Sequence, residues 1–458
     1  MTPVGPPAFR LQDQAPTRAR CRRRQCKRSA SPTGRCAGRR RGARDGMSGG
    51  EFVYRGDPCS ICEDSRAAMS SATLSRIMST ANLARTPFHH WSAERGARFV
   101  DFTGWEMPMS YGSIIDEHHA CRSGAAFFDV SHMGRLRITG RHARKFLDRV
   151  CTRQIMGMER GTVRYSLVCN ERGGVRDDVL VYCYEEDDYM MVVNASNRLK
   201  ILDWFGSIKA RENMTFQMED VTADTAMAAI QGPKVIDIVG TFSREIPTLK
   251  RYRFAEKSLM IAKLTVSRTG YTGEDGVEIV MGSTVAKFVL PMLLREKEGV
   301  TAMVRPAGLG ARDSLRTEAS MPLYGHEITE EIDPLSAGLG FAVKLDKGDV
   351  DTREGRFIGQ EALLKIKADG VQNSLVGFEV EGRRSARQGM LLYQGGKHVG
   401  HVSSGCLSPT LDKVIAMGYV PAAMSAVGTE FELDLGKVKT TAKVVKMPFY
   451  NPVRTKTA

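Results

Sequence analysis

The chain has no run of about 18 uninterrupted apolar residues, so the sequence predicts no transmembrane helix. Cysteine is sparse where a folded body would need it. Five of the ten (Cys21, Cys26, Cys36, Cys59, Cys62) fall in the first 62 residues, and Cys121, Cys151, Cys169, Cys183 and Cys406 are scattered. A disulfide scaffold requires dense cysteines in a small secreted chain, so the body reads as reduced and of intracellular type. The common signatures of chemistry are missing too. No Gly-x-x-x-x-Gly-Lys-Ser/Thr occurs. Gly308-Leu309-Gly310-Ala311-Arg312-Asp313 supplies two of the three dinucleotide-fold glycines and fails at Asp313. There is no His-Glu-x-x-His, and the adjacent Glu117-His118-His119 is wrongly spaced for a shared metal. Cys59 and Cys62 form a lone pair without a second pair at zinc spacing. No Gly-x-Ser-x-Gly elbow is present. Chemistry, if the chain performs any, rests on binding geometry and a carboxylate.

What is present is an ordinary globular balance over 458 residues, with 42% hydrophobic and 26% charged, enough for two or three packed domains. The net charge of +14 is concentrated in a leader: residues 1–45 carry 13 Lys/Arg against Asp13 and Asp45. Residues 46–90 balance, which leaves +3 on residues 91–458 and makes nucleic acid an unexpected partner for the body. The leader, residues 1–84, has Arg22-Arg23-Arg24 and Arg39-Arg40-Arg41 among Pro, Gly and Ser, and too little apolar surface to offset its ordering entropy. Transit peptide, nuclear address, nucleic-acid arm and sequence upstream of the true start (Met47, Met69 or Met78) stay open. MSSATLSRIMSTANLAR, from Met69, has Arg, Ser and Ala without acid, a transit-peptide composition.

Along the body, residues 141–150 read as a short helix apolar at Phe146, Leu147 and Val150. Residues 162–168, 178–184 and 189–196 read as strands, with a Gly-Gly turn in 170–177. Such a meander predicts antiparallel sheet and an α+β fold. Ala311 to Ser320 reads as a helix with GLG as its entry turn, residues 343–374 as a connecting segment, and residues 375–446 as a small all-β domain. FFDVSHMGR (127–135) is expected to bury an apolar run and then present Asp129, Ser131 and His132. GGVRDDVLVY sets Asp177 and Asp178 at a strand start. Strand alternation lets only one of that pair point inward. GYTGEDGVE (270–278) packs glycines and acids, and GLGARDSLRTEASMPLYGHE (308–327) puts Arg312, Arg316 and Glu318 on one helix. Glycine-rich turns beside acids suit a polar heterocycle or a tight loop.

These segments, with RTPFHHW, FTGWEMPMSY, VVNAS, AIQGP (229–233), HVSSGCLSPTL (401–411), IAMGYV (415–420) and KMPF (446–449), resemble in order the T-protein (aminomethyltransferase) family of the glycine cleavage system, over roughly residues 85–450. The resemblance implies a three-domain cloverleaf, α+β and folate-binding. Two interleaved domains would lie in 85–342, a connection in 343–374, a C-terminal β-barrel-like domain in 375–450 and a tail in 451–458. It implies transfer of a one-carbon unit from the aminomethyl-dihydrolipoyl arm of H-protein to tetrahydrofolate. The products would be 5,10-methylene-tetrahydrofolate and ammonia, with tetrahydrofolate as co-substrate and without metal or flavin. The implied partners are lipoylated H-protein and, functionally, the P- and L-proteins, in the mitochondrial matrix; no membrane partner is implied. The alternative is a non-catalytic folate-binding relative that assists iron–sulfur cluster assembly. Its Cys-containing motif is not seen here.

The resemblance assigns Asp178 as the catalytic carboxylate, to orient folate, accept a proton and steady an iminium charge. An unmatched Asp-Asp would read as turn chemistry. It assigns Glu278 and Arg312 to folate, against the plain alternative of a Glu–Arg salt bridge. Met133, Tyr271, Val192 and Asn194 match pocket-lining positions, with ordinary core packing as the alternative. Asn194-Ala195-Ser196 is formally a glycosylation sequon. His132 is read as a structural hydrogen-bonding residue near the pocket. Arg387 stands open between a folate or arm contact and a solvated surface residue. The tail departs from the family pattern at Tyr450 and Arg454, and no folate contact is carried over from it.

Overall fold

The computed structural model describes residues 83–259, 262–294, 304–348 and 355–452. The leader's basic runs, its cysteines and Arg454 lie outside the described residues. The described chain begins with α1 (His89–Glu94), a hairpin of β1 (Arg98–Phe102) and β2 (Trp105–Ser110), α2 (Ile114–Ser123), β3 (Ala126–Asp129), β4 (Gly134–Thr139) and α3 (Ala143–Val150). Then come β5 (Thr162–Cys169), β6 (Val175–Glu185), β7 (Asp188–Val193), α4 (Arg198–Arg211), β8 (Gln217–Asp220), β9 (Thr225–Gln231) and α5 (Val235–Gly240). β10 (Phe254–Leu259), β11 (Ala262–Ser267), β12 (Gly276–Gly282), α6 (Ser283–Leu294), β13 (Arg305–Pro306), α7 (Leu309–Glu318) and α8 (Gln360–Asp369) follow. The last six strands are β14 (Asn373–Val380), β15 (Leu391–Gln394), β16 (Lys397–Ser408), β17 (Lys413–Pro421), β18 (Glu430–Asp434) and β19 (Lys439–Val445), which close into a barrel.

Two sheets build the body. One is antiparallel throughout, in the order β5-β6-β7-β4-β8, and the other runs β10-β11-β12-β9-β3-β13. The hydrophobic alternation of their strands sorts side chains into three layers. Val179, Val181 and Cys183 of β6 pack with Phe146, Leu147 and Val150 of α3 and with α4. Tyr182 and Tyr184, on the opposite face of β6, meet Phe128, Met227 and Val280 of the second sheet. The far face of that sheet (Phe127, Ala228, Ile279) is covered by α1, α5 and α6. The architecture is thus helix, sheet, sheet, helix, with the barrel following in sequence.

Three readings change. β6 starts at Val175, because the preceding turn is tighter than the sequence suggests. The Asn170 carboxamide oxygen accepts from the backbone N–H groups of Arg172 and Gly174, both at 3.0 Å. A Cβ on Gly174 would lie 1.8 Å from the Glu330 carbonyl oxygen, so only glycine permits that approach. α7 begins at Leu309 rather than Ala311, with Gly308 as its N-cap pressed against the backbone of Met109. Residues 343–374 are more than a connection. They contain α8, bury Phe357, Ile358 and Leu363, and donate the Lys347 ammonium to the carbonyls of Asp148, Cys151 and Arg153. Their charges obscured an apolar face.

The barrel is joined to the body through α7. The Glu318 carboxylate accepts from Ser408 Oγ at 2.5 Å and Thr410 Oγ1 at 2.8 Å, both from the barrel, and from Arg122 Nη2 of α2 at 2.8 Å. His118 Nε2 lies 3.2 Å away. Two residues earlier Arg316 pairs with Glu327 at 2.8 Å and donates to Ser404 Oγ of the barrel at 2.7 Å. Burial opposes ionisation of Glu318, but the His118 and Ser408 hydrogen bonds and the Arg122 charge outweigh it and hold its pKa at about 2. A depressed carboxylate stabilises the fold above its unfolded pKa and loses that contribution as pH falls toward its folded value. Glu318→Gln is therefore expected to cost roughly 3 kcal/mol at neutral pH, as for a broken buried ion pair. Urea unfolding should show the gap from wild type closing as pH is lowered from about 5 toward 3.

Candidate functional site

The inter-sheet layer is apolar at one end and opens at the other into a cavity of about 930 Å³, within the range of small-molecule sites. Asp178, Glu278, Arg312, Met133, Tyr271, Val192 and Asn194 all line it. They come from separate elements. Asp178 is the fourth residue of β6, Val192 lies on β7 and Glu278 on β12. Arg312 is on the first turn of α7, and Asn194 follows β7 directly. Met133 sits between β3 and β4, where the buried Arg135 guanidinium gathers the carbonyls of Ser131 and Met133 and shapes that loop. Tyr271 belongs to a turn closed by Arg268, which donates to both Asp275 oxygens at 2.7 Å.

Strand register explains the grouping. Leu180 pairs with Tyr165 on one side and Val192 on the other. Asp178, two residues before Leu180, shares that face. Asp177 points to the opposite face, and here the reading that one carboxylate stays outside is corrected. β6 is covered on both sides, so Asp177 is buried against Asn194 and Asn197. Asp178 Oδ1 accepts from Asn194 Nδ2 at 2.6 Å, and its Oδ2 accepts from the Tyr165 hydroxyl at 3.2 Å. Burial raises the pKa of both carboxyls above the ordinary range, and two carboxylates this close would repel each other if both were charged.

Glu278 is buried and accepts from Thr269 Oγ1 at 2.5 Å. Burial raises its pKa against the pull of Thr269 and Arg312. Arg312 lies over the Tyr271 ring, 4.7 Å from its centre, and the Tyr271 hydroxyl donates to the Pro322 carbonyl. Among the described residues Arg312 makes no direct ion pair with Glu278, and its Nη1 is buried without a hydrogen-bond partner. The plain salt-bridge alternative therefore fails. The pair presents one acceptor and one free donor to the same space, as a polar heterocycle or a carboxylate requires. Asn194 spends its amide on the two aspartates and borders the cavity, which leaves no place for a glycan.

Asp129, Ser131 and His132 are buried rather than presented, because the loop after β3 folds under Thr86, whose hydroxyl donates to Asp129. His132 faces the cavity beside Phe102, and among the described residues its Nδ1 has no hydrogen-bond partner. Burial, then the charges of Arg312 and Arg135, push its pKa down to about 3, so the imidazole is neutral. Arg387 is exposed at the cavity rim. Sequence reasoning missed Tyr165 and Thr269. The alternation of β5 against β6 carried the signal for Tyr165. Thr269 needed the pairing of Ser267 with Glu278, which only the fold supplies.

Residues 88–347 match the family model described as the GCVT N-terminal domain, and residues 373–451 match the glycine cleavage T-protein C-terminal barrel domain. The chain belongs to the glycine cleavage T-protein family. The aminomethyltransferase of Symbiobacterium thermophilum is 43% identical over 374 residues, 81% of this chain and 98% of that one. The aminomethyltransferase of Bacillus pumilus is 41% identical over 370 residues, 80% and 99% of the two chains. The crystal structure of the glycine cleavage system aminomethyltransferase T from Bartonella henselae superposes with a TM-score of 0.73 at 30% identity, covering 81% of this chain and 99% of that one.

Two arginines one helical turn apart on α7 of this T-protein should respond oppositely to replacement. Arg312→Met removes a cation with an unsatisfied donor and is expected to raise stability by about 1 kcal/mol while abolishing ligand binding. Arg316→Met strands Glu327 and is expected to cost about 3–5 kcal/mol. Denaturant unfolding of both variants checks the contrast.

Proposed function

We propose that the chain transfers the one-carbon unit of an aminomethyl thioether, carried on a dihydrolipoyl arm, to tetrahydrofolate. Overall, the carrier's S–CH2–NH3+ group and the N5–H and N10–H of the folate give a free thiol, ammonium and a methylene bridge between N5 and N10. The C–S and C–NH3+ bonds break and two C–N bonds form, and the two nitrogen protons end on sulfur and on the departing amine. The observation that carries this reading is Asp178, a half-buried carboxyl fixed by Asn194 and Tyr165 that opens onto the same cavity as Glu278 and Arg312. Family membership supports it, and the relatives named aminomethyltransferases weigh against the non-catalytic iron–sulfur relative.

In this reading Glu278 accepts the pterin's N–H donors, Arg312 turns its free Nη1 to a folate acceptor, and Met133, Tyr271 and Val192 form the apolar walls. Asp178 exchanges the proton and offsets the positive charge that develops on the one-carbon unit as the C–S bond breaks. A low-polarity site strengthens that interaction. The carrier partner is proposed to be the lipoylated H-protein, acting with the P- and L-proteins. Exposed Ile115, Tyr252 and Phe341 around the mouth suit the apolar arm. A mitochondrial matrix location is proposed from the Arg-, Ser- and Ala-bearing stretch after Met69. Fusing residues 1–85 to a fluorescent protein tests it, and a diffuse signal would overturn it.

The full chain, given aminomethyl-loaded lipoyl carrier, is expected to release ammonia only when tetrahydrofolate is present, with methylene-tetrahydrofolate formed in step. Asp178→Asn should lower the rate at least about 100-fold, the usual scale for a lost acid–base group, while folate still binds. An undiminished rate in that variant would remove Asp178 from the reaction.

A further inference from the structure

Asp177 is not exposed to the cavity, yet it is tied to the group that is. The Asn194 Nδ2 sits 2.8 Å from Asp177 Oδ1 and 2.6 Å from Asp178 Oδ1, so its two hydrogens are divided between the carboxyls. The Asn194 backbone N–H donates to Asp177 Oδ2 at 3.1 Å, and Asn197 Nδ2 donates to Asp177 Oδ1 at 2.6 Å. A flipped Asn194 amide would set its oxygen against both carboxyls, so Asp177 fixes which way that amide points.

We infer that Asp177 is a positioning residue of the transfer site: through Asn194 it aims the Asp178 carboxyl, and as the anion of the pair it keeps the proton on Asp178. This rests on the proposed role of Asp178. The assignment of charge follows from the donors. Asp177 receives three, a setting that favours the anion. Asp178 receives one amide donor and the longer Tyr165 contact, and it lines the cavity. Burial disfavours two charges in this space, so the pair holds one proton and titrates as a unit.

The surrounding titratable groups do not supply a competing charge. Tyr165 from β5 and Tyr271 from its turn face Asp178, with Tyr252 next to Tyr165, and burial raises the pKa of Tyr165 and Tyr271. Arg312 and Arg316 lie beyond Tyr271. On the Asp177 side stands Tyr324, whose hydroxyl accepts from Lys200, itself paired with Glu330 at 3.0 Å. Asp178 thus enters the reaction as an acid: it protonates the departing sulfur and, as the carboxylate so formed, offsets the charge on the one-carbon unit.

The test is a ¹³C NMR titration of the Asp178 carboxyl in the full chain, assigned by its loss in Asp178→Asn, run beside the pH dependence of ammonia release. In Asp177→Asn the Asp178 step should move at least about one pH unit down, equivalent to a ten-fold change in protonation. The alkaline limb of kcat should move with it, while KM for tetrahydrofolate stays within about three-fold. Asn197→Ala keeps both carboxyls and strips one donor from Asp177. It should shift the step in the same direction, and it serves if Asp177→Asn does not fold. An unmoved Asp178 step in the folded variants would overturn the inference. Absence of folate-dependent release by the wild-type chain would instead overturn the transfer reading, and the NMR titration would still judge the pair.

Discussion

Strand β6 is buried on both faces, and the site depends on that constraint. In a half-solvated strand every second residue can be polar at little cost. Here neither face is free, so two successive aspartates must each find donors or destabilise the sheet. Asn194 and Asn197, immediately beyond the neighbouring strand, supply them. One carboxyl is shut into the helix-covered layer. The other emerges where the two sheets diverge, fixed in direction and deprived of bulk water. The chemistry proposed for Asp178 follows from that placement more than from the residue type.

The second constraint is the rigidity of the joint between body and barrel. Arg312, Arg316 and Glu318 lie on one short helix and serve three ends: the cavity, the Glu327 loop with the barrel wall, and α2 with the barrel's Ser408–Thr410 turn. A buried ion network is poor as a source of stability compared with apolar packing, but it tolerates few alternative geometries. The cavity is lined by residues of both sheets, of α7 and of the barrel, including Cys406 and Leu407. Its shape is therefore set by how firmly α7 holds these parts together.

Much of this was legible in the sequence. The meander, the short helix of Phe146 and Leu147, and the final all-β region follow from period-two and helical patterning. The cavity-lining positions were reached through ordered segments that resemble one family. What patterning could not give was long-range. Asp177 and Asp178 look alike locally, and only the cover on the second face of β6 separates their roles. His132 looks like a polar group on display, whereas the fold buries it beside Phe102. Residues 343–374 look like a linker because the apolar face formed by Phe357, Ile358 and Leu363 is diluted by lysines. Tyr165 required the register of β5 against β6, and Thr269 the pairing of β11 with β12.

The cavity between the sheets is proposed to hold reduced folate with its reactive nitrogens toward Asp178. A crystal structure of the full chain with tetrahydrofolate tests it most directly. The pterin is expected between Glu278 and Arg312, and N5 or N10 within hydrogen-bond reach of an Asp178 oxygen, about 2.6–3.2 Å directly or through one water. Folate seated elsewhere on the chain, or lying in the cavity with both nitrogens turned away from Asp178, would contradict it.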